Sequence, residues 1–392
     1  MGRTSNLGRA LAGMVSLAAA GWLPGCARSQ AAPTEVPVPS EEVEAGSALP
    51  PDEPAPVLGL EEPVAAQTPE AEPEELEEPP PEPIAMHPGG PDLEIARRVP
   101  TGAQPKSVTV SPDGSRLYVC NFGFANRRNV FVYETEGLQQ VGRIDFPGNA
   151  VEVAVSDDGQ TLYISNFGRG LIEIVDAITF EVRGEVEVDN NPKWMVIDQA
   201  RELLYVSNWS SRSVSAVDLR GREAVRRLHT GRRPRGMALL GDGTLMVGAM
   251  WDHRLQVYAP GSTEPDRELP ICENPRHLVL SPDGSRLYVS CSGDDLLRWI
   301  DPRTGEVLGE APTGDNPRTI DISRDGRWVA IADFTGSTVT VVDTVAMTHR
   351  THELPRTKQI VGLAVAPGEE LRVYATSWLT NQLLELRPAA TG

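Results

Sequence analysis

The chain is poor in the residues from which most recognisable active sites are built. It has four cysteines and six histidines in 392 residues, and only 5% of it is aromatic. There is no Cys-x-x-Cys-His for attached haem and no Cys/His spacing for zinc. Gly-rich phosphate loops and nucleophile elbows are missing too. No cofactor ligand set is visible, which disfavours a redox role, and no metal site is expected. Long hydrophobic runs are absent. The longest apolar stretch, Leu11 to Trp22, is too short to span a bilayer.

What the chain does contain is one unit repeated at a nearly constant period. Ser-Pro-Asp-Gly-Ser-Arg-Leu-Tyr-Val stands at 111–119 and again at 281–289, and a close copy fills 156–164. Pro105, Ala150, Pro192, Pro234, Pro275, Pro317 and Ile360 open successive units, spaced by 45, 42, 42, 41, 42 and 43 residues. A period of about 40–45 with four short strands per unit predicts a β-propeller. In the fifth unit the strands fall at 276–281, 287–290, 296–300 and 306–310, with Pro282-Asp283-Gly284 as the first turn. The seventh unit has only three strands. An orphan segment, Leu93 to Gly102, matches the fourth-strand pattern of unit five and is expected to complete the last blade. The fold class is all-β, a seven-bladed propeller over 93–392, closed by its N-terminal strand so that no sheet edge is left open.

Leu204-Tyr-Val-Ser-Asn208 with Val214-Ser-Ala-Val-Asp218, and Leu162-Tyr-Ile-Ser-Asn166 with Ile172-Glu-Ile-Val-Asp176, resemble the YVTN-type repeat. The resemblance covers about 102–387. It is specific for the WD40-like propeller fold and weak for function, since similar propellers include surface-layer proteins, YncE-like periplasmic proteins, lactonase-like enzymes and propellers of respiratory enzymes. Unit four departs most, with Leu245-Met-Val-Gly-Ala249 lacking both the Tyr and the Asn.

Residues 1–25 read as a signal peptide, with Arg3 and Arg9 before the apolar stretch. Leu23-Pro24-Gly25-Cys26 resembles a bacterial lipobox, with Pro24 in place of the usual small or β-branched residue. The resemblance implies lipidation at Cys26 and, from Ala27, sorting to the outer membrane, facing the periplasm or the cell surface. Residues 26–92 then form a linker. Residues 27–92 hold 16 Pro and 16 Asp plus Glu against one Arg, a composition that cannot build a core. At ~3.1 Å per residue it could reach on the order of 200 Å. It also accounts for the net charge. The chain has 36 basic and 55 acidic residues; without signal and linker 33 and 39 remain, a balance of −6 rather than −19.

Two rings emerge from the alignment. The residue after each opening position is Lys106, Lys193, Arg235, Arg276 or Arg318 in five units and Val151 or Val361 in the others. Five cations crowding one channel mouth would focus field on an anion, or each could pair with a carboxylate on a neighbouring loop. Most second strands end in a polar residue and then a large ring, giving Phe122, Phe167, Trp209, Phe334 and Trp378, while unit four gives Met250 and then Trp251 and unit five only Ser292. These six would either pack between blades or form a stacking rim above the cations. The Asn residues beside them are expected to cap the turns. Cys272 and Cys291 fall next to each other on this face, where an oxidising compartment would let them pair, leaving Cys120 as a free buried thiol. Glu152, His277 and Asp321 are the ionisable residues of the inner strands. They stand on separate blades, and structural roles are expected for them.

These features suggest a non-enzymatic binding or scaffolding module of the cell envelope. Its expected partner is an envelope protein or an anionic glycan, with nucleic acid second to both, and its membrane contact is the lipid anchor alone. A lactonase-like hydrolase using polar residues at the channel mouth is the alternative.

Overall fold

The computed structural model describes residues 84–390, Phe124 excepted. The signal peptide, Cys26 and most of the linker lie outside the described residues. Seven antiparallel four-stranded sheets follow one another at the repeat period. In each, the strand beginning at the opening residue is innermost; blade 1, for instance, runs Pro105–Val110, Arg116–Asn121, Val130–Glu134 and Gln140–Ile144. Blade 7 takes Ile360–Val365, Val373–Ser377 and Gln382–Pro388 from the C-terminal end, and its outer strand is Leu93–Pro100. The closure read from the orphan segment is the one observed.

The recurring turn is held by its own side chains. At 111–116 the Ser111 hydroxyl donates to Asp113 (2.5 Å) and accepts the Arg116 amide (2.9 Å), while Asp113 accepts the Ser115 amide (3.0 Å). Gly114 supplies the positive φ (74°) that an L-side chain adopts only with strain. The same pattern returns at 281–286.

The core lies between blades. Tyr118 of blade 1 packs with Leu162 and Ile164 of blade 2, Tyr205 of blade 3 with Met237 and Val247 of blade 4, and Tyr374 of blade 7 with Val108 and Leu117 of blade 1. The repeated Tyr is thus an inter-blade anchor. In blade 4, which lacks it, Met246 fills the slot and is fully buried against Leu278 and Leu287.

Two short strands were not legible in the sequence. Ile84–Ala85 pairs in parallel with Gly309 and Glu310 at the edge of blade 5, and His87–Pro88 pairs in parallel with Thr348 and His349 at the edge of blade 6. Both lie in the stretch whose composition reads as linker.

Candidate functional site

Each inner strand slips register against its neighbour just after the opening residue, in all seven blades. Such a bulge breaks the period-two alternation of side chains and re-aims them. Consecutive residues therefore share the channel wall: Val151 with Glu152, and Lys193 with Trp194. The Ser of the Tyr-x-Ser-Asn motif fixes this geometry. Ser165 accepts the Glu152 amide (3.0 Å) and donates to the Lys193 carbonyl of the next blade (3.1 Å). Ser207 links Trp194 to Arg235 (3.0 and 2.9 Å), and Ser290 links His277 to Arg318 (3.0 and 2.8 Å), in the same way. In these three blades the motif serine thus ties the bulge to the ring residue of the next blade.

Lys106, Lys193, Arg235, Arg276 and Arg318 converge as the alignment implied. None of the five is within ion-pair distance of a carboxylate among the described residues. The expected alternative, pairing with loop carboxylates, is not what the structure contains. Arg235 Nη1 and Arg276 Nε are buried with no hydrogen-bond partner. Burial, and then Arg235, Lys193, Arg276 and Arg318, hold the Lys106 amine well below its usual range. Burial and the neighbouring guanidiniums do the same to Lys193. Burial pulls Arg235 down to about 10 and, with Arg235 beside it, Arg318 to about 9. A guanidinium keeps its proton at neutral pH, so the lysines are where the ring would shed charge.

The aromatic ring and the basic ring form one assembly. Lys106 Nζ sits 5.2 Å from the Trp378 ring centre, and Lys193 Nζ lies 4.0 Å from Trp209 and 5.3 Å from Phe167. Arg318 stacks on Phe334 at 3.1 Å, and Arg235 lies 5.9 Å from Trp209. Edge and tilted contacts join Trp378, Phe122 and Phe167 (5.9 and 5.7 Å), and Trp209 meets Trp251 (6.4 Å). Arg233, outside the aligned slot, inserts between Trp209 and Trp251 (5.2 and 4.7 Å). Trp251 remains 44% exposed. Blade 5 offers no ring, and there Arg276 Nη1 rests against Met250 Sδ at 3.9 Å. Aromatic faces soften the repulsion among the cations without neutralising it.

The Asn residues do more than cap turns. Asn121 reaches the Arg128 carbonyl, Asn166 the Pro147 carbonyl and Glu173, and Asn208 the hydroxyls of Ser213 and Ser215, all from buried positions. Cys291 occupies this slot in blade 5, opposite Pro275 as Asn121 is opposite Pro105. Cys272 stands where blade 1 has Gly102, whose added Cβ would lie 2.5 Å from the Asn121 amide carbon. The two cysteines are joined in a disulfide, and Cys120 is free and buried. One blade thus uses a covalent bond where another uses an Asn packed on a Gly.

Below the cations the channel narrows to a throat lined by Lys106, Lys193, Arg235, Glu152, Trp194 and His277, with about 10 Å³ of free space. That is room for a group about the size of one water. Glu152, His277 and Asp321, which nothing in the sequence brings together, all line the cavity beyond it. Asp321 spends both oxygens on backbone amides, those of Ile322 (2.9 Å) and Val365 (2.8 Å). Burial raises its pKa to about 6 and that of Glu152 to about 8. Trp194 and Thr319 complete the partition between the two spaces. Sequence reasoning missed both, although each stands two residues after its opening proline, like His277.

The model of the YncE-like β-propeller family matches residues 92–359. Antigen Lp49 of Leptospira interrogans serogroup Icterohaemorrhagiae serovar copenhageni (strain Fiocruz L1-130) is 24% identical over an alignment covering 38% of this chain. The alignment spans 47% of that curated relative, less than half its length. Kuenenia stuttgartiensis hydrazine synthase contains a chain similar in structure, with TM-score 0.65, 19% identity, and coverage of 75% of this chain and 98% of that one. A chain of the mitotic checkpoint complex gives TM-score 0.64 at 15% identity, covering 83% and 98%. The Cps50 (Swd1) propeller of Myceliophteria thermophila gives 0.64 at 14%, covering 76% and 100%. At these identities the structural likeness concerns the fold.

Proposed function

Because the chain belongs to the YncE-like β-propeller family, whose fold is shared by proteins of unrelated function, its role has to be read from the site, and we propose a non-enzymatic module that binds an anionic group at the basic mouth. One observation carries this reading: five converging cations with no carboxylate in ion-pair range among the described residues. Unpaired charge at such a site is relieved when an anion arrives. The narrow throat favours a small charged group at the end of a chain or on a sugar ring, as in an acidic protein tail or a uronic-acid glycan. The aromatic rim would stack what carries that group. Against a hydrolase at the same channel stands the way Asp321 and His277 spend acceptor atoms on backbone amides.

The test is binding of labelled oligoglutamate and oligogalacturonate to the purified chain, at low and high salt, with oligoglutamine and a neutral oligosaccharide as controls. Binding of one acidic probe is expected, weakened by salt. It should fall by ~100-fold or more when all five ring cations become Gln, at about 1.5–3 kcal/mol for a hydrogen bond to a charged group. Acidic-probe binding equal in the wild type and the five-fold variant would end this reading.

Lipidation of Cys26 and an extended linker would hold this mouth off the outer membrane, within the envelope. Cys26→Ser is expected to move the protein from the membrane fraction to the soluble one, or to leave uncleaved precursor. Mature Cys26→Ser protein that stays firmly membrane-bound would exclude the anchor.

A further inference from the structure

The cavity beyond the throat opens on the face opposite the mouth, among the turns that carry Pro112, Pro282 and Pro367, and has a volume of about 480 Å³. That lies in the range of small-molecule sites. Much of its wall is apolar, including Val110, Ala154, Leu278 and Leu363.

Most of its polar lining is already engaged. Thr109 donates to the Val153 carbonyl (3.1 Å), Thr319 to the Val361 carbonyl (2.7 Å), and the Trp194 indole to the Met237 carbonyl (3.3 Å). Both oxygens of Asp321 are taken by amides. Two lining atoms stand apart: His277 Nε2 is buried with no hydrogen-bond partner, and the Ser107 hydroxyl, which has no partner at full hydrogen-bond geometry, lies close enough to Glu152 and Cys120 to favour their charged forms. Their residues are 6% and 4% exposed. His277 Nδ1 accepts the Ile320 amide at 2.9 Å, so the neutral ring carries its proton on Nε2 and can only donate there. Glu152 lines the same end.

We propose that this vestibule is a second binding site, distinct from the basic mouth, for a small carboxylic acid with an apolar body, its carboxylate received by His277 Nε2–H and the Ser107 hydroxyl. The apolar walls take the body. The ring cations stand just beyond the partition, and their field draws the charged end inward. Burial keeps Glu152 protonated around neutral pH, so it adds no opposing charge. Buried donors left without an acceptor are costly, and a carboxylate supplies two acceptors at once.

The experiment is calorimetric titration of the purified full-length chain with 3-phenylpropionate, and with 3-phenylpropan-1-ol and 3-phenylpropylamine as neutral and cationic probes of the same body. Saturable binding of the acid is expected, with the alcohol and the amine weaker by ~10-fold or more. His277→Asn keeps an acceptor for the Ile320 amide and removes Nε2; it should weaken the acid ~10-fold. Ala154→Phe and Val279→Trp, which fill the vestibule from two blades, should abolish binding. Trp251→Ala and Arg233→Gln at the mouth should leave it unchanged, which separates this site from the mouth and its failure from the mouth's. The proposal is overturned if the alcohol binds as well as the acid or if neither filled variant affects binding. It is equally overturned if wild-type protein that melts cooperatively shows no saturable binding.

Discussion

Arg276→Gln is expected to raise the melting temperature of the ligand-free protein while it weakens anion binding. The side chain stands among Lys106, Lys193, Arg235 and Arg318, its Nε is buried without a partner, and no aromatic face among the described residues meets it. Removing a crowded, part-desolvated charge relieves repulsion and desolvation together. A gain of about 1–2 kcal/mol follows, a few degrees in Tm for a domain of this size. Had the ring been built for stability, each cation would have a carboxylate, and its loss would cost stability instead. A propeller that becomes more stable as it loses ligand is the behaviour of a site that stores strain for binding. A fall in Tm for Arg276→Gln, with no compensating fault in folding, would mean that the charge is structural.

The same cluster sets a pH dependence whose sign can be worked out. In the folded protein the Lys106 and Lys193 amines sit well below 10.5, by burial first and the guanidiniums second. Between that lowered value and 10.5 the unfolded chain holds more protons, so these lysines make stability rise with pH across the window. Glu152 acts the other way: raised from 4.5 to about 8, its contribution is present below 4.5 and lost as pH climbs through 8. The difference in slope between the wild type and a Lys106→Gln, Lys193→Gln variant isolates the lysines. Anion binding, which favours their charged form, is expected to take up protons in the same window.

The ring was legible because an opening residue, proline in five of the seven units, marks one slot at a nearly constant period, and a slot repeated seven times has one place in a closed propeller. Its depth was not. Reading alternation along the inner strand puts neighbouring residues on opposite faces, and the bulge after Pro105, Ala150, Pro192 and their counterparts defeats that rule. Trp194, Glu152 and His277 therefore went unrecognised as parts of one partition. The stacking of Lys106 on Trp378 was equally hidden, since it joins the first blade to the last. Cys272 and Cys291 could be placed side by side because both fall in slots whose neighbours are known from other blades. The strands Ile84–Ala85 and His87–Pro88 could not be read: two residues pairing in parallel with remote partners leave no periodic trace in a Pro- and Glu-rich segment.

Deleting 84–100 is expected to abolish cooperative folding, whereas deleting 84–90 alone should cost only about 1–2 kcal/mol, chiefly for the partly buried Met86 that packs on the cluster of blades 5 and 6. The contrast follows from what each segment does. The two-residue additions at 84–88 extend sheets that are already complete. Leu93–Pro100 is the outer strand of blade 7, paired with Gln382–Pro388 along its length. Leu93 and Ile95 pack on the cluster shared by blades 6 and 7, Val99 on that shared by blades 7 and 1, and the Tyr133 hydroxyl donates to the Pro100 carbonyl at 2.8 Å. The strand also covers Glu385, a fully buried carboxylate held by Arg97 (3.3 Å), Arg372 (3.6 Å) and Arg387. Without 93–100 the last blade exposes a full strand edge and its apolar face. The loss is about 5 kcal/mol or more, comparable to the net stability of a domain. Glu385→Ala tests the same junction without truncation and should cost ~3–5 kcal/mol, because it leaves guanidiniums arranged around a carboxylate that is gone. Chemical unfolding of the three variants decides the matter. A two-state transition at the wild-type midpoint for the 84–100 deletion would mean that the ring holds without its N-terminal strand. A synthetic 91–102 peptide that restores the transition would show that the strand acts by pairing, since it then works without covalent attachment.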